Sequence, residues 1–213
     1  IINKANLTIK SIDGAATTII DVPDGTLTTG VKILGTDLGI VTFDGFTVKN
    51  FTESGIVQGM ASATGTTVHV LNNVVIPAGD YLRNGIQVSG NGSTVIGNTV
   101  SNAYLTTDWG GTAIHVVNAS NVKVSGNTVN GNGDVAIAVD NYDAAVVSNI
   151  LIENNIIAGS DVAINITGGP DTTGKIVSRV TITGNDLGNS LEGIDVSYVT
   201  LTGANTFEKN DFS

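Results

Sequence analysis

The feature that most constrains this chain is an internal repeat whose cleanest copy runs from Thr112 to Val129, TAIHVVNASNVKVSGNTV. A short β-branched run, AIHVV, is followed by a polar corner, NASN, and then by VKVSGNTV, where Asn127 sits between two strand-like pieces. The first half recurs as GIVQG at Ile56, GIQVS at Ile86, AIAVD at Ile137, AINIT at Ile164 and GIDVS at Ile194. The second half recurs as VTFDGF, VLNNVV, VIGNTV, IENNII and ITGNDL. The anchor isoleucines 56, 86, 114, 137, 164 and 194 are spaced by 30, 28, 23, 27 and 30 residues. The asparagines 73, 98, 127, 155 and 185 are spaced by 25, 29, 28 and 30. Periods of this length belong to solenoids, in which no single unit can bury its own apolar face.

Within each unit the apolar residues alternate with polar ones, as in Ile114 and Val116 and again in Val122 and Val124. That period of two belongs to a half-buried strand and excludes a helix. The reading is therefore all-β: a coil of short parallel strands, each stacked on its equivalent in the next coil at roughly 4.8 Å, so that like residues form ladders. Alternation places Ile86, Val88, Ile114, Val116, Ile137, Val139, Ile164, Ile166, Ile194 and Val196 inward. It places Gln87, His115, Ala138, Asn165 and Asp195 in one outward row, and Ser89, Val117, Asp140, Thr167 and Ser197 in the next. Phe43 and Phe46 are assigned to the core and His69 to an exposed strand face.

The units AIHVVNASNVKVSGNTV and GIQVSGNGSTVIGNTV resemble the repeats of right-handed parallel β-helix proteins of the pectate-lyase-like superfamily, over essentially the whole chain. The resemblance implies a right-handed, single-stranded parallel β-helix of about seven coils. It also implies an internal ladder of Asn73, Asn98, Asn127, Asn155 and Asn185 at one corner, with Asp44 in the corresponding place of the first clear coil and Asn205 ending the row. The superfamily includes polysaccharide lyases, glycoside hydrolases, epimerases, phage tailspikes, adhesins and surface-layer components. No catalytic residue is carried over from it.

The chain of 213 residues is long enough for one domain spanning positions 1–213, because a solenoid extends without dividing. It begins at Ile1 without a leader, which fits a piece of a larger exported protein, secreted or held at the cell surface, whose open ends associate with other segments or copies. Sequons at Asn6, Asn50, Asn91, Asn118 and Asn165 suit that location. No apolar run is long enough to span a membrane. A net charge of −10 with nine Lys and Arg argues against nucleic acid, whose phosphates require clustered basic side chains. It also disfavours polyanionic glycans unless a cation such as Ca²⁺ bridges the carboxylates. A neutral polysaccharide or a calcium-bridged acidic one is the expected partner.

Two longer connections, PAGDYLRN from Pro77 and AYLTTDWGG from Ala103, precede consecutive GIxV-type strands and bring Tyr81, Arg83, Asp108 and Trp109 to one edge. DNYDAAVVSN from Asp140 and TGGPDTTGKIVSR from Thr167 are long at the opposite edge, so a groove with two loop walls is expected. Rings on such walls suit stacking against sugar, and Gln87, Asn165 and Asp195 on the floor suit its hydroxyls. Catalysis by a lyase, hydrolase or epimerase would fall to His115 as general base, paired with Asp140 one coil away. Carboxylate pairs for hydrolysis are Asp140 with Asp143 and Glu192 with Asp195. Asp134, Asp161 and Glu192, just before the floor strand in successive coils, form a candidate Ca²⁺ row. The alternative is a structural or adhesive solenoid that supplies length and stiffness without catalysis.

Overall fold

In the computed structural model, residues 1–23, 28–60, 64–79, 83–101, 111–131, 134–144, 146–169 and 173–213 are described. Three parallel sheets wind around one apolar interior as a right-handed β-solenoid. The first sheet stacks seven strands, Thr29–Ile33, Ser54–Gln58, Asn84–Val88, Thr112–Val117, Val135–Asp140, Val162–Thr167 and Glu192–Ser197, joined by six turns of the solenoid. The second contains Thr8–Lys10, Gly39–Asp44, Thr66–Leu71, Thr94–Ile96, Val122–Ser125, Val146–Glu153 and Ile176–Thr183; both Thr200–Thr202 and Thr206–Glu208 pair with the last of these. The third runs from Ile19–Asp21 through Thr47–Phe51, Val74–Pro77, Thr99–Ser101 and Thr128–Asn130 to Ile156–Ala158. Among the described residues no helix is long and apolar enough to cross a membrane.

Register turns the repeat into vertical stacks. Ile86, Ile114, Ile137 and Ile164 pair directly from coil to coil and are fully buried, as are Val88, Val116 and Val139. Each such column removes a whole aliphatic side chain from water, worth roughly 1.5–3 kcal/mol per residue. The stack loosens at the last coil, where Ile194 is partly buried and Val196 is 40% exposed. The residue before each anchor is small, Gly55, Gly85, Ala113, Ala136 or Ala163, because the strand enters there across the third sheet. A methyl at Gly85 would lie 2.6 Å from both the Ala113 carbonyl oxygen and Val100 Cγ1.

The corners explain why Gly and Asn recur. Asn72, Gly97, Gly126, Asn154 and Gly184 all have positive φ, between 53° and 68°, and each immediately precedes a buried asparagine. Glycine and asparagine tolerate this left-handed conformation, which turns the chain from the second sheet into the third. Asn98, Asn127 and Asn155 each donate through Nδ2 to the Oδ1 of the next asparagine, and that same oxygen also accepts their backbone N–H. The row continues from Asn185 to Asn210, not Asn205, whose Oδ1 instead accepts from the Val180 N–H. At its start Phe46 stands in line with Asn73, donating its N–H to Asn73 Oδ1, and stacks on Phe43 with centroids 4.5 Å apart. Asp44 lies two positions earlier, paired with Leu71, and takes Lys10 and Asn72 as partners.

Candidate functional site

The outer face of the first sheet carries a polar chain that runs across the coils. Its first member, the Gln58 carbonyl, can only accept, so Gln87 turns its Nε2 toward it at 3.0 Å. Gln87 Oε1 then accepts from Asn84 Nδ2 at 2.9 Å, which turns Asn84 Oδ1 toward His115 Nδ1, also at 2.9 Å. On its other side His115 Nε2 lies 2.6 Å from Asp140 Oδ2. Both ring nitrogens are therefore engaged, one by Asn84 and the other by Asp140. The imidazole, with its side chain only 13% exposed, leaves neither nitrogen without a protein partner.

Asp140 Oδ2 accepts a second hydrogen bond from the Tyr142 hydroxyl at 2.5 Å. Asp140 is 4% exposed, although strand alternation points it outward, because His115 and Tyr142 converge on it. Its Oδ1 is buried without a hydrogen-bond partner among the described residues. Partial burial pushes the Tyr142 phenol well above its ordinary range, and the Asp140 charge and hydrogen bond add to the shift, so the hydroxyl stays a donor. The Tyr142 ring lies against Gly169, where a methyl would come within 2.8 Å of Cε1 and where φ is 78°. Glycine is thus required there both by the backbone and by the ring.

A groove of about 560 Å³ opens over these residues. His115, Asn165 and Asp195 line its floor, Arg83 lies at one edge, and Tyr142 and Tyr198 lie at the other. Asn165 Nδ2 donates to Asp195 Oδ2 at 2.5 Å, so these two floor groups are fixed by each other.

The family described as "Right handed beta helix region" matches residues 29–213. The chain belongs to this family. No curated protein matches the chain.

Within this β-helix the strand register sets Gln87, His115, Ala138, Asn165 and Asp195 in one row. Gln87 is spent on the polar chain and does not line the groove. Asp140, Thr167 and Ser197 follow in the second row, where Ser89 and Val117 are buried and do not form open floor. Arg83 is exposed; Tyr81, Asp108 and Trp109 lie outside the described residues. Asp134 and Asp161 occupy equivalent places, but Glu192 pairs with Val162 and so sits one position further along. Among the described residues no group of three His, Cys, Asp or Glu is arranged to hold a metal ion. Glu192 and Asp195, three apart on one strand, align with Asn84 and Gln87, whose side chains meet on the outer face of the same sheet. Asp143 is exposed and bonded to Asn118, away from buried Asp140.

Asn84, Tyr142, Gly169 and Tyr198 are among the groove residues that sequence reasoning did not single out. The first follows from register, since Asn84 pairs with Thr112, three residues before His115. For Tyr142 the only signal was its place two residues beyond Asp140.

Proposed function

We propose that this β-helix is an extracellular module that binds a polysaccharide along the groove of its first sheet. The observation that carries this reading is the row of floor positions repeated from coil to coil, His115, Ala138, Asn165 and Asp195, polar in three of these four coils, beside the exposed tyrosines at its edge. A polymer of regular repeat is matched by a surface of regular repeat. The coil spacing of roughly 4.8 Å is close to the length of one pyranose unit. Placement outside the cell follows from the ligand, which is met there, and the sequons are compatible with it. His115 and Asp140 act in this reading as fixed parts of the floor, because both imidazole nitrogens are held by protein partners, Asn84 and Asp140.

The test is a polysaccharide panel covering neutral and acidic polymers, with Ca²⁺ and with a chelator, read by co-sedimentation and by the appearance of reducing or unsaturated ends. Binding without product supports the module as proposed. Product formation abolished by His115→Leu or Asp140→Asn would make it an enzyme instead. Absence of binding across the panel would leave a structural or adhesive solenoid.

A further inference from the structure

Resting on the glycan-binding reading, we infer that Tyr142 and Tyr198 form a two-ring platform that selects an uncharged glycan lying along the solenoid axis. The first observation is how Tyr142 is held. Its hydroxyl is anchored on the buried Asp140 carboxylate and its ring is seated on Gly169, yet 37% of the residue remains exposed. An aromatic ring fixed at both ends but open on one face loses little freedom when a ligand stacks on it.

The second observation is spacing. Asp140 pairs with Thr167 and Thr167 with Ser197, so Tyr198 stands two coils beyond Asn141, the residue next to Tyr142, and the two tyrosines are set two coils apart, roughly 10 Å along the axis. The intervening coil presents Gly168 and Gly169 at this edge, and neither of these two positions carries a side chain that would rise between the rings. Tyr198 is 56% exposed and also lines the groove. Two rings at a two-coil interval would meet alternate sugars of a chain that advances about one sugar per coil.

Charge fixes the class of glycan. The groove sets Arg83 and His115 against Asp134, Asp140 and Asp195, an acidic excess whether or not His115 is protonated. The whole chain carries −10 as well. A uronate polymer would bring further carboxylates into this field, whereas an uncharged sugar offers hydroxyls to Asn165 and Asp195 and C–H faces to the rings.

Calorimetric titration of the 213-residue chain with cellohexaose, xylohexaose, mannohexaose and hexagalacturonate, the last with and without Ca²⁺, tests this. At least one neutral hexasaccharide should bind, and hexagalacturonate should bind more weakly or not at all. Tyr142→Ala should weaken the neutral sugar about tenfold or more, Gly169→Ala by a similar factor through displacement of the ring, and Tyr142→Phe only a few-fold. Tyr198→Ala, at an exposed position, should also weaken binding, and it decides the matter if Tyr142→Ala fails to fold. Neutral-sugar binding that survives both alanine variants overturns the platform while leaving the glycan-binding reading intact. Preference for hexagalacturonate overturns the neutral class. Failure of every glycan, including the polymer panel, removes the underlying reading itself.

Discussion

Asn127 occupies the middle of a row in which each side chain satisfies its neighbours. Its Oδ1 accepts both the backbone N–H and the side-chain N–H of Asn98, and its Nδ2 donates to the Val95 carbonyl and to Asn155. Asn127→Ala would strand buried donors and an acceptor on two adjacent coils. We expect a loss of about 3 kcal/mol in urea unfolding, given ~1–3 kcal/mol per buried group left unsatisfied. Asn210→Ala, at the partly exposed end of the row, should cost clearly less. His69 provides a pH test at the same scale. It is half-buried on the second sheet, bonded to Thr94 Oγ1 at 2.8 Å, and burial holds its pKa below the ordinary value of 6.5. The folded state then binds fewer protons than the unfolded chain, so this contribution is present above pH 6.5 and is lost as pH falls through the lowered value. Urea midpoints at about pH 7.5 and 5.5 should therefore differ more for the native chain than for His69→Thr, which matches the threonines paired on either side.

At the scale of the strand, the GIxV and AIxV units carry two kinds of information, and only one is periodic. Alternation made the inward isoleucines and the outward row of Gln87, His115, Asn165 and Asp195 legible, because a strand has a side-chain period of two. It also put His115 one coil from Asp140. It could not show that Asp140 is covered, since that depends on Tyr142 folding back over Gly169 after the strand has ended. Nor could the Asn84–His115 contact be read from spacing alone, because it joins a strand end to the middle of the next strand. The corner asparagines were legible as a row, but Phe46 and Asn210 were missed because one is apolar and the other follows an irregular coil. The small residue that opens each unit has its own packing reason. Gly85→Ala would force a methyl against the rigid Ala113 carbonyl, and overpacking of this kind should destabilise by about 1–3 kcal/mol, seen as a lower denaturation midpoint with native-like circular dichroism retained.

Over the whole molecule, the pairings run between successive coils, so stability is expected to be a sum of coil terms and nearest-neighbour interfaces. The interior is also graded along the axis. Ile86, Ile114, Ile137 and Ile164 are fully buried, whereas Ile20 is only partly buried and Val196 is 40% exposed toward the two ends. This arrangement makes a specific prediction for Ile114→Ala, which removes one member of the central stack and should destabilise by roughly 2–5 kcal/mol where it acts. In native-state hydrogen exchange, protection should fall most in Asn84–Val88, Thr112–Val117 and Val135–Asp140. It should change little in Thr8–Lys10 and Ile176–Thr183, which share no pairing with the altered coil. An equal loss in every strand would mean that the solenoid opens as one cooperative unit and that the coil-by-coil account of its stability is wrong. A loss confined to the centre would mean that the groove floor, carried by those same strands, is the part most sensitive to core packing, so that Ile114→Ala should weaken glycan binding before it unfolds the ends.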